Sequence, residues 1–193
     1  MVGMIRRAVI MVSVLLSAVG ALPPGAARAE PSSALDDLVD AAAQRLQTAD
    51  AVAASKWLTG GPITDPARVQ QVLAAVTAEA QAAGVPPDYA TAVFTAQINA
   101  TEGVQYSRFS WWKFDPSTAP GSAPDLAASR SVIDGLNHEM VAQIGRQWPV
   151  LQSPDCAAAL SAAKNTVADA RGLDALYRQA LDAATRSYCR GWP

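Results

Sequence analysis

The chain has 193 residues, enough for one domain with a sizeable buried core, and 50% of them are hydrophobic. Its formal net charge is −2 at pH 7, and an acidic protein is a poor binder of nucleic acid or anionic membranes. Any site for an anion must therefore be a local pocket whose charge differs from that of the whole chain.

Residues 1–29 have the organisation of a secretory signal peptide. Arg6 and Arg7 form a basic start, a short apolar run follows, and Ala27, Arg28 and Ala29 supply an A-x-A cleavage site. The alternative is an uncleaved anchor, but the apolar run is too short to span a bilayer comfortably. We therefore predict export to the periplasm or the medium and a mature domain of residues 30–193, with no membrane segment. That domain has 12 lysines and arginines against 17 acidic residues, a net charge of −5.

Residues 33–57 are predicted to form one long helix around which the rest of the chain is organised. Its apolar side chains recur at three- and four-residue steps, which is helical spacing. They are Leu35, Leu38, Val39, Ala42, Leu46, Ala49, Ala53 and Trp57.

Two cations, Arg45 and Lys56, interrupt this apolar stripe. They are eleven residues apart, about three helical turns, so they project from nearly the same side. Cations that face a core must be paired or must bind an anion. Only Asp50 lies between them in the sequence, so we expect the anion to come from outside the chain.

Start and stop signals predict five more helices. Asp65 and Pro66 form an N-cap and first-turn pair, Gly84 ends that second helix, and Asp125 caps the fourth. The predicted helices cover about residues 33–57, 65–83, 87–112, 125–148, 153–170 and 173–190, with a Pro-, Gly- and Ser-rich loop at 115–125. The inward face of the fourth helix is predicted to carry Leu126, Val132, Ile133, Leu136, Met140, Val141 and Ile144. No stretch alternates like a strand, so the predicted fold is all-α, a single domain of about six helices.

The two cysteines, Cys156 and Cys189, form an even pair in a chain predicted to be exported, which favours a disulfide. The alternative is two free thiols. The disulfide would join the fifth predicted helix to the sixth.

Several chemistries have no support in the sequence. There is one histidine, His138, which is predicted to lie on a helix surface, and no cluster has the spacing of metal ligands. No Gly-framed nucleophile, phosphate-binding loop or dinucleotide fingerprint is present. What remains is a set of cations and neutral polar groups that four predicted helices supply, namely Arg45, Lys56, Arg68, Thr101, Gln105 and Arg130.

Five segments carry a resemblance to a known family. They read LVDAAAQRLQTADAVAASKW, DPARVQQ, ATEGVQYSRFSWWK, PDLAASRS and ATRSYC. The mature chain is similar along essentially its whole length to the secreted, all-α chorismate mutases of the AroQ type, in the gamma subclass found in mycobacteria. The intervals between the polar residues match as well, so the resemblance is more specific than a shared fold.

The resemblance implies an enzyme that converts chorismate to prephenate by a Claisen rearrangement. The reaction is intramolecular and pericyclic, so it needs no nucleophile, acid–base pair or cofactor. The protein must hold a chair-like conformer of a small dianion and stabilise charge that develops on its ether oxygen. The resemblance also implies a homodimer in which each site lies within one protomer.

Matched residue by residue, the resemblance implies that three arginines hold substrate carboxylates, namely Arg45, Arg68 and Arg130. Lys56 would reach the ether oxygen and a carboxylate, and Gln105 would donate a second hydrogen bond to the ether oxygen. Lys56, Gln105 and Arg130 are thus the predicted catalytic residues.

Two further positions complete the predicted binding set. Thr101 matches a hydroxyl residue that contacts a substrate carboxylate, and Asp65 matches a position near the ring hydroxyl. Glu102 projects about 100° away from Thr101 on the helix and is therefore not predicted to contact the substrate directly.

The sequence departs from its mycobacterial relatives at two positions. The resemblance implies a glutamate at the position of Gln105 and a glutamine at the position of Val72, and the polar contact of that glutamine is either lost here or supplied by a neighbour such as Gln71. Two other functions fit the same scaffold. One is an exported helical binding protein without catalysis, and the other is a pyruvate-releasing lyase that acts on chorismate.

Overall fold

The described part of the chain is built from helices. The structure is a computed structural model that describes residues 33–190, and its α-helices are α1 (Asp36–Thr59), α2 (Pro66–Ala82), α3 (Pro87–Phe114), α4 (Leu126–Arg146), α5 (Trp148–Leu151), α6 (Cys156–Ala170) and α7 (Ala175–Thr185). No strand occurs within this range, which confirms the all-α prediction. None of the helices between residues 33 and 190 has the length and apolar character needed to cross a bilayer. The predicted signal peptide, residues 1–29, lies outside the described residues.

The first helix is the centre of the fold, because α1 packs against α3, α4, α6 and α7. Its predicted stripe is buried from Leu35 to Ala53, while Trp57 is half-buried. Trp57 makes edge contacts with Phe109 and Trp112, whose ring centroids are 5.2 and 5.5 Å away. The apolar periodicity of α1 therefore identified the side of this helix that faces the core.

Aspartates begin three helices, as N-cap chemistry requires. The carboxylates of Asp65, Asp125 and Asp174 accept backbone N–H groups of the first turns of α2, α4 and α7 at 3.1, 3.3 and 2.8 Å. Gly84 follows α2 with φ of 75°, in the left-handed region that favours glycine. The boundaries that these signals predicted are confirmed to within a few residues.

The structure differs from the predicted fold in three details. Pro149 lacks an N–H, and in a continuous helix its ring would clash with the carbonyl of residue 145, so α4 stops at Arg146 and the short α5 follows. Val132 is 56% exposed, because it lies about 100° around α4 from the inward-facing Ile133. α6 begins only at Cys156, after a turn in which the hydroxyl of Ser153 bonds the carbonyl of Val150.

The predicted disulfide is present between Cys156 and Cys189. It does not join two helices, because α7 ends at Thr185 and Cys189 follows it. It fastens the segment after α7 to the first turn of α6, beside Tyr188, whose side chain is fully buried.

Removal of the disulfide is expected to lower the free energy of unfolding. The bond closes a loop with a sequence separation of 33 residues. A loop of this size stabilises by about 3–4 kcal/mol through the lost entropy of the unfolded chain. Urea unfolding of the Cys156→Ser/Cys189→Ser variant, compared with the oxidised wild type, measures the change. An unchanged urea midpoint would contradict this expectation.

Candidate active site

A single cavity lies among α1, α2, α3 and α4. Its empty volume is about 610 Å³, a figure that includes open solvent at its mouth. The structure brings all seven of the predicted site residues to this cavity, and they are Arg45, Lys56, Asp65, Arg68, Thr101, Gln105 and Arg130. The cavity is therefore assembled from four separate helices and the loop before α2.

Arg45 reaches the cavity from the middle of α1 and is 4% exposed. Its Nε donates to the side-chain oxygen of Asn137 at 2.7 Å, and its NH1 donates to the hydroxyl of Thr101 at 3.2 Å. Burial lowers the pKa of Arg45 to about 10, because the charged form loses its hydration. Both hydrogen-bond partners are neutral, so neither forms an ion pair with the guanidinium.

Lys56 enters the cavity from the last turn of α1 and is 8% exposed. Its Nζ donates to the backbone carbonyl of Ile63 at 2.5 Å. Burial lowers the pKa of Lys56, and the negative charges of Glu102 and Asp65 oppose that decrease. The amine thus lies at the cavity with one backbone partner and two further donor positions.

Asp65 has two functions in the structure. One carboxylate oxygen caps α2, as described above, and the other accepts NH2 of Arg130 at 2.9 Å. The side chains of Arg130 and Asp65 are 39% and 35% exposed, so this ion pair lies at the mouth of the cavity. It connects α4 to the loop that begins α2.

Arg68, in the first turn of α2, is held by two polar side chains. Its NH2 donates to Asp134 of α4 at 2.5 Å, and its NH1 donates to Gln71 at 3.0 Å. Gln71 is exposed and does not line the cavity, whereas Val72 does and is 5% exposed. Gln71 therefore positions Arg68 and does not supply a polar contact in place of Val72.

Thr101 and Gln105 lie one turn apart on α3 and face the cavity together. The Thr101 hydroxyl donates to the carbonyl of Gln97 at 2.8 Å, which leaves its oxygen free to accept from Arg45. Gln105 is 3% exposed, and its Nε2 lies 3.4 Å from the carbonyl of Thr101. Its Oε1 has no hydrogen-bond partner within residues 33–190. A buried amide with unused hydrogen-bonding capacity at a cavity is typical of a ligand-binding position.

Glu102, which is not predicted to contact the substrate, lines the cavity. Its carboxylate accepts the hydroxyl of Thr64 at 3.1 Å, and that hydroxyl also lies 3.1 Å from the phenol oxygen of Tyr106. The loop before α2 contacts α3 at this point, so Glu102 lies against a wall of the cavity. Helical geometry alone could not place that loop.

Asn137 and Asp134, the partners of Arg45 and Arg68, were not found from the sequence. Both lie on α4 and contact arginines that are more than 60 residues away in the chain. Asp134 lies four residues after Arg130 and Asn137 lies seven residues after it, so all three share one helix face. This spacing is the only sequence signal that could have indicated the two residues. His138, in contrast, is exposed beside Glu79, as predicted.

Apolar side chains form much of the cavity wall around the buried cations Arg45 and Lys56. The lining includes seven apolar side chains, which are Val52, Ile63, Val69, Val72, Ile98, Leu126 and Ile133. The same lining carries four cations and two carboxylates, a formal excess of two positive charges. Fold and cavity together define an all-α protein whose site suits a small dianion.

Comparison with known proteins agrees with the all-α fold and identifies a family. The family model for chorismate mutase type II matches residues 34–106. The secreted chorismate mutase of Mycolicibacterium smegmatis is 54% identical over 180 residues, which cover 93% of this chain and 99% of that protein. The secreted chorismate mutase of Mycobacterium tuberculosis is 50% identical over 184 residues, which cover 95% of this chain and 92% of that protein.

Solved structures agree with the sequence comparison. The crystal structure of chorismate mutase from Burkholderia phymatum is similar, with a TM-score of 0.78 and 34% sequence identity, and the match covers 82% of this chain and 97% of that one. The chain belongs to the chorismate mutase type II family.

Proposed function

We propose that the protein is an exported chorismate mutase, an isomerase that rearranges chorismate to prephenate without a cofactor. One observation carries the proposal: four helices direct cations and neutral polar groups into one apolar-walled cavity with an excess of two positive charges. Chorismate has two carboxylates and an ether oxygen, so its groups match this distribution. Family membership and the names of the relatives support the same reaction.

The proposed mechanism depends on orientation and electrostatics. Arg45, Arg68 and Arg130 hold the two carboxylates, since a planar guanidinium can bond two oxygens at once. The carboxylates fix the chair-like conformer in which the carbon atoms that form the new bond lie close together. Apolar walls exclude water, which strengthens each of these interactions.

Two donors act on the ether oxygen, where negative charge develops as its bond to the ring carbon breaks. Lys56 supplies a charged donor from α1, and Gln105 supplies an amide from α3. These donors are in place before the reaction, so they stabilise the transition state without reorganisation. Thr101 orients Arg45 and contacts the adjacent carboxylate, and Asp65 approaches the ring hydroxyl from the mouth of the cavity.

A chorismate assay on purified residues 30–193 tests this function. We expect loss of absorbance from the chorismate ring and the appearance of prephenate. No loss of absorbance would favour an exported binding protein, and release of pyruvate would favour a lyase. Either result would overturn the proposal.

Export and assembly complete the proposed function. The relatives at 50–54% identity are named as secreted, and a disulfide is compatible with an oxidising compartment. We infer that residues 1–29 direct export and are removed. We also infer a homodimer, which the family resemblance implies, and we place each site inside one protomer because one chain supplies all seven predicted site residues of the cavity. Light scattering of the mature protein measures the assembly, and a monomeric mass would contradict it.

We expect kcat/KM to be nearly constant from about pH 6 to pH 8, because the amide of Gln105 donates a hydrogen bond throughout this range. At higher pH the value should fall, since Lys56 and Arg45 bind a dianion only when they are protonated. Burial lowers the pKa of both groups, that of Arg45 to about 10, so the fall begins below the pH at which free side chains lose their protons.

The Gln105→Glu variant is the matched comparison for this profile. A glutamate can donate to the ether oxygen only when it is protonated, so kcat/KM of the variant should decrease as pH rises through its pKa. Steady-state rates of both proteins across the pH range measure the difference. A wild-type kcat/KM that collapses between about pH 6 and pH 8, while product binding is unchanged, would contradict the role of Gln105.

A further inference from the structure

One face of α4 contacts the cavity cations of other helices. Arg130, Asp134 and Asn137 follow one another at helical spacings of four and three residues. Arg130 bonds Asp65 at the mouth, Asp134 bonds Arg68, and Asn137 bonds Arg45. α4 therefore supplies one cation directly and holds two others by their guanidinium groups.

The two side chains of α4 that bond these arginines differ in charge: the exposed one is charged and the buried one is neutral. Asp134 has a side chain that is 53% exposed and forms an ion pair with Arg68. Asn137 is 5% exposed and offers a neutral oxygen to Arg45, which is itself 4% exposed. The buried arginine thus has an acceptor that fixes its orientation without cancelling its charge.

The second partner of Arg45 is also neutral. Its NH1 donates to the hydroxyl of Thr101, and Arg45 forms no salt bridge within residues 33–190. The Nε bond to Asn137 fixes the plane of the guanidinium, and the Thr101 bond fixes its rotation.

The remaining N–H groups of Arg45 are left for an anion. Among the described residues, the only carboxylate charge that acts on Arg45 through space is that of Asp134, which is paired with Arg68 and opposes the lowering of the Arg45 pKa only weakly beside burial. A carboxylate in place of Asn137 would keep the hydrogen bond but would also compete with that anion.

We propose that Asn137 is a positioning residue for the substrate-binding Arg45, and that its neutral side chain preserves the positive charge that binds a substrate carboxylate. This inference rests on the proposed function, because it assigns Asn137 to the same site. It extends that function by a residue that does not line the cavity and acts through Arg45.

The Asn137→Asp variant tests the inference. It retains an oxygen acceptor of nearly the same shape and adds one negative charge beside Arg45. We expect KM for chorismate, and Kd for prephenate measured by calorimetry, to rise about tenfold or more, because an adjacent carboxylate reduces the attraction of a cation for a second anion. Kcat should change much less than KM. The free energy of unfolding should not decrease, since the new carboxylate pairs with a cation.

A merely structural role predicts a different result. Partial unfolding lowers the concentration of active enzyme, so the apparent kcat falls while KM stays constant. The Asn137→Ala variant, which leaves Nε of Arg45 without its acceptor, should lower both stability and substrate affinity. The Asn99→Asp variant is the matched control, because Asn99 is exposed on α3 and the same change in charge there should leave KM within about twofold of wild type.

Each outcome decides the inference. An Asn137→Asp protein with wild-type KM and prephenate affinity overturns it, and so does one that fails to fold, because a carboxylate facing Arg45 must be tolerated. Wild-type protein that binds prephenate but does not turn over chorismate overturns the proposed function alone. In that case the comparison of prephenate affinities still tests Asn137.

Discussion

Replacement of Lys56 by alanine is expected to lower kcat/KM for chorismate by ~10²–10³-fold and to leave the helical fold intact. The amine lies in the cavity, where it donates to the carbonyl of Ile63, and the proposed mechanism places it at the ether oxygen. Removal of a charged donor from a water-poor site removes an interaction that strengthens as the transition state forms. Steady-state kinetics and circular dichroism of the variant measure the two parts of this prediction.

Lys113→Ala is a suitable control for the Lys56 variant. Lys113 is exposed in the last turn of α3 and does not line the cavity, so its removal changes the net charge by the same amount. We expect near-normal turnover in the control. Near-normal turnover in Lys56→Ala would refute the assignment of Lys56 as a catalytic donor.

Replacement of Arg130 by alanine should produce a loss of similar size, ~10²–10³-fold in kcat/KM. Two effects add in this variant. A carboxylate of the substrate loses its guanidinium, and Asp65 loses the ion pair that offsets its negative charge at the mouth. The variant should fold normally, since a half-exposed ion pair contributes little to stability.

The Arg130→Lys variant separates charge from geometry. A lysine restores the positive charge but not the planar fork that bonds two oxygens, so its activity should lie between those of Arg130→Ala and wild type. Arg146→Ala is the matched control on the same helix, because Arg146 is exposed and pairs with Glu139 away from the cavity. Equal kcat/KM for Arg130→Ala and the Arg146 control would exclude Arg130 from the site.

Local signals in the sequence were sufficient for most of the fold. Aspartate caps and left-handed glycines act within a few residues, so the starts and ends of the longer helices could be predicted. Pro149 was the signal for the break between α4 and α5 and was overlooked. Val132 was misplaced because an apolar residue need not be buried, and periodicity around Ile133 was the better guide.

Some residues of the candidate site could likewise be predicted from the sequence, and others could not. Cations on an apolar stripe, such as Arg45 and Lys56, are unusual enough to be noticed in one helix, and the polar residues of the other helices could be selected in the same way. The family resemblance supplied Asp65 and the role of each residue. The side chains that hold those cations could not be predicted, because contacts such as that between Arg45 and Asn137 depend on how helices pack. Glu102 was excluded by helical angle, whereas the loop before α2 determines its neighbours.

The ion pairs and hydrogen bonds of the cavity cations determine when the electrostatic repulsion among these cations is overcome. Four like charges in one hollow repel each other, and in this protein Asp65, Asp134, Asn137 and a backbone carbonyl restrain them before any ligand arrives. The free energy of folding therefore offsets the repulsion among these cations before the substrate binds. An incoming dianion relieves that repulsion, so its affinity includes a contribution stored when the chain first folded.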